Sequence, residues 1–194
     1  MVIYQHMKIR ITPAILRDFP SILLGAIIVK NVDNSRLISA AQQLVRGSAA
    51  GKQKDFAANA VNKERQSLQA FRAIQKEKTR LENLMEEVAQ GNPLISGTPI
   101  EDLMLYFGVR SEMPFRAEDL DEVCGDIELM YSDGTDAFRA IGTTKLEHPI
   151  AGELIYRDRA GVTCRYLNAA ECERTAPVNT TKNLIIITEN FGFY

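Results

Sequence analysis

Two histidines, three cysteines and a basic run are the residues whose types and spacing bear first on what chemistry this chain can do. His6 stands near the start and His148 precedes Pro149 in an expected loop. Two histidines so placed do not readily build a triad or a several-histidine metal cluster, and a lone loop histidine such as His148 is more often a surface residue. Cys124, Cys164 and Cys172 are odd in number and show no C-x-x-C spacing. That pattern predicts structural thiols in a reducing, cytoplasmic compartment, with neither a disulfide framework nor a metal site. Gly-x-Gly-x-x-Gly and the P-loop are both missing, so no nucleotide cofactor is implied.

Charge is uneven along the chain. The first 90 residues carry 14 Lys and Arg against 8 Asp and Glu, and the remainder 9 against 17. The positive share concentrates between Arg46 and Arg80 and includes Lys52, Lys54, Lys63 and Arg65. A stripe of this kind can follow a phosphate backbone with a steep salt dependence. The alternative is a solvated helix face, since Glu64, Glu77 and Glu82 are interleaved with the cations.

These residues need elements to hold them. Phe56, Ala60, Val61, Leu68, Phe71, Ile74, Leu81, Leu84, Met85 and Val88 recur mostly three, four and seven apart, which predicts one long helix over 56–89 or two joined helices. Gly91-Asn92-Pro93 ends that segment. Thr98-Pro99 opens an amphipathic helix through Ile100, Leu103, Met104 and Phe107, and Pro114 to Ala117 read as a turn. Hairpin signals stand at 132–135, between strands expected at 126–131 and 137–141, and at 159–161, between strands at 152–158 and 162–167. Leu184 to Thr188 is β-branched and continuous, as in a buried central strand. Ser21 to Val29 is too short to span a bilayer and reads as a core strand. The whole predicts one α+β domain over 1–194, with mixed and antiparallel sheet layers, hairpins and a long packed helix. A basic helical segment occupies about 52–90.

Taken in order, the stretch from Asn92 to Asp121 and the block from Gly152 to Glu189 resemble the B3/4-type tRNA-editing domain of the phenylalanyl-tRNA synthetase β subunit, in its free-standing form. The editing-like core is about 92–190. The resemblance implies an aminoacyl-tRNA ester hydrolase that clears mischarged tRNA, with tRNA as partner, no membrane and no cofactor. Such an ester is already activated. Its hydrolysis needs a positioned water and a stabilised oxyanion more than a strong nucleophile.

The same resemblance implies site residues. Glu189 falls where the synthetase family places the acidic residue that recognises a tyrosine hydroxyl. Arg116 stands where the synthetase form carries histidine, and Ile100 near the family's pocket threonine. The stretch containing Arg165 and Asn168 replaces a loop rich in Ala and Gly. Arg116 and Asn168 are thus the candidate catalytic residues, and Glu189, Arg165, Ile100 and Thr181 the candidate substrate-binding residues. Each has a local alternative. Arg116 can pair with Glu118 or Asp119, Glu189 can pair with a surface arginine, Asn168 can shape a turn, and Thr181 can start the last strand. A deacylase predicts Arg116, Arg165, Asn168 and Glu189 converging on one pocket. A non-catalytic module binding an amino acid, tRNA or another protein predicts a filled or flat site.

Overall fold

The computed structural model describes residues 7–35, 39–49, 54–69, 77–94, 98–165, 167 and 169–192. Their strands form two sheets. The larger runs β1 (Ile9–Ile11), β4 (Ile127–Tyr131), β5 (Leu154–Asp158), β6 (Gly161–Arg165) and β7 (Ala170–Glu171), with β1 parallel to β4 and the other pairs antiparallel. The smaller is antiparallel, with β8 (Leu184–Asn190) between β2 (Leu23–Val29) and β3 (Phe115–Asp119).

Residue alternation along β8 determines the layering. Ile185 and Ile187 face the large sheet and join Ile127, Leu129, Leu154, Tyr156 and Cys164 in the principal core. Leu184 and Ile186 face the other way, onto Ile100 and Met104 of a helix over Pro99–Ser111. The order through the molecule is large sheet, small sheet, helix. Helix α1 (Pro13–Asp18) closes one side of the principal core with Ile15.

The segment expected to be helical resolves into α3 (Lys54–Ser67) and α4 (Arg80–Gln90), following α2 (Ser39–Ala49); Pro99–Ser111 is α5. The start of α4 is set by the capping box at Thr79. Its hydroxyl accepts from the Glu82 amide while the Glu82 carboxylate accepts from the Thr79 amide. The two helices pack through Ala57, Ala60, Leu81, Met85 and Val88. Glu64 and Arg65 of α3 also bind Thr79 and Glu82. Gly91, at φ 71, terminates α4 in the left-handed conformation that glycine adopts without strain. Thr98 caps α5 with Glu101 in the same reciprocal way, and Pro99 begins it.

Three local expectations are corrected. Pro114 to Ala117 is the entry to β3 rather than a turn; the sequence Phe-Arg-Ala-Glu-Asp lacks strand hydrophobicity, and burial is tolerated because Arg116 and Glu118 neutralise each other on one face. The strand answering β4 is β5. Residues 132–135 turn the chain through Ser132 and Asp133 side-chain bonds, but 137–141 makes only isolated bridges, Phe138 to Glu147 and Ala140 to Cys172. Ser21 to Val29 supplies β2, an edge strand among the described residues, and its Ile27 is 62% exposed because the face it points from is left uncovered. The hairpin at 159–161 and the central position of β8 agree with the sequence reading.

Candidate functional site

The pairing of β3 with β8 sets Arg116 opposite Ile187, and Glu189 lies two residues further along that same face. Both therefore point between the sheets, toward β5. The Arg116 guanidinium lies 4.1 Å from the centroid of the Tyr156 ring, and the Tyr156 hydroxyl donates to Glu189 Oε2 across 2.9 Å. Arg116 is completely buried. Its Nη1 is paired with Glu118 Oε1, whereas Nε and Nη2 make no hydrogen bond among the described residues. Stacking on the ring face supplies part of what those donors lack.

Burial dominates the titration of this cluster. It holds the Tyr156 phenol protonated well above its ordinary range, the negative charge of Glu189 adds to that, and Arg116 opposes it. Burial likewise pushes the Cys164 thiol up to about 12, against the opposing pull of Arg116, with Glu171 and Glu189 adding to the rise. Arg80 also acts on this thiol, and its Nη1 is paired with Glu171.

Helix α4 borders a cleft. Arg80, Asn83, Glu86 and Glu87 line one side, and Leu84 extends below them. Pro93, Leu94, Met104, Leu105, Pro114, Phe115 and Ala169 are the other described residues around a space of about 490 Å³. That is within the size range of small-ligand sites, and its mixture of apolar wall and few polar groups is what such sites require. Gly108 of α5 permits this shape: a Cβ there would stand 2.6 Å from Leu84 Cδ2.

The residues singled out by sequence are divided among these layers. Arg116 and Glu189 meet at Tyr156. Arg165 follows Cys164 directly and so points to the far face of the large sheet. There it forms a forked pair with Glu153, a further pair with Glu147, and lies 5.4 Å from the Phe138 ring centroid. Thr181 donates to the Asp119 carboxylate at the end of β3, and Ile100 packs between α5 and the small sheet. The convergence of Arg116, Arg165 and Glu189 on one pocket is therefore not found, because one position of strand alternation carries Arg165 away. Asn168 lies outside the described residues. Arg116 takes its local alternative, Glu118, while Glu189 accepts from the Tyr156 hydroxyl.

In the basic stripe, four cations have carboxylate partners: Lys63 with Glu112 at 3.2 Å, Arg65 with Glu82 at 2.6 Å, Lys78 with Glu86 and Arg80 with Glu171. Lys52 and the side chain of Lys54 lie outside the described residues. The cleft residues Asn83, Glu86 and Glu87 were not singled out from sequence. Their spacing, opposite Leu81, Met85 and Val88 on the same helix, was the available signal. Among the described residues no three His, Cys, Asp or Glu side chains cluster as a metal site, and no helix is long and apolar enough to cross a membrane.

Comparison with known proteins gives the fold a context. No curated protein sequence matches the chain significantly. Among solved structures, an N-terminal fragment of the phenylalanyl-tRNA synthetase β subunit from Pyrococcus horikoshii aligns over 99% of this chain with a TM-score of 0.52 and 13% sequence identity. The chain spans 45% of that fragment, and at this identity the likeness is one of fold. The model of the B3/4 domain family matches residues 64–192, which include α4, α5, both arms of the cleft and the Arg116–Tyr156–Glu189 cluster. This chain belongs to the B3/4 domain family.

Proposed function

We propose that this protein is a trans-acting aminoacyl-tRNA deacylase, working in the cytoplasm on tRNA that carries the wrong amino acid. The observation that carries the reading is the α4–α5–β3 cleft, a ligand-sized space in a B3/4 domain with an apolar wall facing a charged one. In the reaction, water adds to the ester carbonyl carbon, the bond from that carbon to the ribose oxygen breaks, and the ribose oxygen takes a proton. The products are a free amino acid and uncharged tRNA.

The residues at the cleft suit that chemistry. Glu86 and Glu87 offer carboxylates to an α-ammonium group, and Arg80 is the cation nearest to hand for a developing oxyanion. Glu171 beside Arg80 holds its guanidinium in place. Partner tRNA is read here as a ligand of the cleft's rim and of whatever cations the stripe leaves available.

The second reading is a non-catalytic binding module. It is supported by the way Arg116 pairs with Glu118 and stacks on Tyr156, and Tyr156 bonds Glu189, all of them buried in the core. Incubation with a panel of mischarged tRNAs separates the two. A deacylase releases amino acid from at least one member, and Arg80→Met slows that release tenfold or more, about 1.4 kcal/mol in the barrier. Saturable tRNA binding with no release from any member establishes the module instead.

A further inference from the structure

We infer that Glu87 reads the free α-ammonium of the acyl group, with Asn92 as its positioning residue, so that esters blocked at that nitrogen are disfavoured; this deepens the deacylase reading above and rests on it. Arg80, Asn83 and Glu87 line the cleft at steps of three and four along α4, which places them on one face of the helix. A guanidinium, an amide and a carboxylate therefore stand in a row. An aminoacyl ester carries its carbonyl and its ammonium on adjacent carbons, and the two call for a cationic donor and an anionic acceptor along one wall.

Two carboxylates border the cleft, and their partners distinguish them. Glu86 is paired with Lys78, so its charge is already matched. Glu87 accepts instead from a neutral amide, with Asn92 Nδ2 donating to Oε2 across 2.8 Å. A carboxylate has about four acceptor sites, so this bond orients Glu87 without filling it or cancelling its charge.

Helix termination builds that contact. Gly91, at φ 71, turns the chain back so that the Asn92 amide N–H donates to the Glu87 carbonyl at 3.0 Å. Asn92 is thereby fixed through its backbone to the residue whose carboxylate it orients, and Nδ2 also donates to Gln90 Oε1 at 3.0 Å. Glu87 stands in the last turn of α4, where the helix dipole disfavours negative charge. A carboxylate in that position works against the helix and suits a cationic ligand.

The test compares each aminoacyl-tRNA that the protein hydrolyses with its N-acetyl counterpart on the same tRNA, by steady-state kinetics on the full chain. Wild type is expected to favour the free amine in kcat/KM by about threefold to tenfold. Glu87→Gln should remove most of that preference through a higher KM for the free-amine ester alone, and Glu86→Gln should narrow it less. Asn92→Ala keeps the backbone bond and should also raise that KM, at unchanged kcat and with no effect on the N-acetyl ester. Melting curves confirm the fold of each variant. Acetylation adds bulk as well, so a preference that survives Glu87→Gln is steric and overturns the inference. Equal wild-type rates on the two esters, or a loss in Glu86→Gln as large as in Glu87→Gln, overturn it too, and an unchanged KM in Asn92→Ala overturns the part given to Asn92. All of these leave the deacylase reading standing. No hydrolysis of any ester overturns both.

Discussion

The Tyr156 hydroxyl donates to the Glu189 carboxylate across 2.9 Å, and this bond joins β5 of the large sheet to β8 of the small one. Both residues are almost wholly buried, with Glu189 only 1% exposed. A bond made in that setting matters most for what its loss leaves behind, a buried charge missing a donor.

Tyr156→Phe is therefore expected to destabilise the fold by about 1–3 kcal/mol, with the ring and its contact to Arg116 retained. Glu189→Gln, which keeps an acceptor for the hydroxyl, should cost less. Urea denaturation of the three proteins measures both, and an equal stability for Tyr156→Phe and wild type would show that the bond contributes nothing net.

Alkaline conditions should weaken the fold first through Cys164 and then through Tyr131 and Tyr156, whose phenols burial holds above their ordinary range. Folding raises the Cys164 thiol from its ordinary value of 9.0 to about 12, so the native state holds that proton where the unfolded chain has released it. Its contribution is complete below pH 9 and is lost as pH rises toward 12, at up to about 1.4 kcal/mol per pH unit. Tyr156, raised above its ordinary 10.0, adds a loss of the same sign above pH 10. Unfolding free energies measured from pH 8 to 11 should fall with increasing slope, and Cys164→Ala should remain level between 9 and 10.

Removing Arg116 should harm stability and activity together. Glu118, itself buried, loses its partner, and breaking a buried pair in this manner costs roughly 3–5 kcal/mol. The double variant Arg116→Met with Glu118→Gln removes both charges and is expected to recover much of that loss. Restored folding with full deacylation in the double variant would relieve Arg116 of any part in the reaction.

Arg165→Met should act on the fold alone. The forked pair with Glu153 and the contact with Glu147 belong to the far face of the large sheet, away from the cleft. Thermal melting should fall markedly, with a loss of about 3–5 kcal/mol. Per folded molecule, measured at a temperature where the variant remains native, deacylation should match wild type.

Gly108→Ala offers a change of the opposite kind. The added methyl meets the far end of the Leu84 side chain, which can rotate, so the expected stability loss is modest. Leu84 lines the cleft, and its displacement should alter KM for the ester more than the melting temperature. A change in melting with no change in KM would detach the cleft from the substrate.

Local chemistry made several elements legible in the sequence. Thr98-Pro99 and Gly91 satisfy or terminate helix ends by their own backbone preferences, Asp158 to Gly161 closes a hairpin within a few residues, and the β-branched run of β8 announces burial on both faces. The resemblance in the C-terminal part likewise brought Arg116 and Glu189 into view. Tertiary structure decided what those residues touch. In a strand, one residue step reverses direction, so Cys164 faces Arg116 while Arg165 faces Glu153, although both belong to the same short strand. The apolar run of β2 looked like core but became an edge, because apolar composition reports a preference for burial and only sheet order says how many neighbours supply it. Tyr156 gave no sign of its role from sequence: its hydroxyl finds Glu189 only because two sheets stack face to face, bringing together positions 33 residues apart.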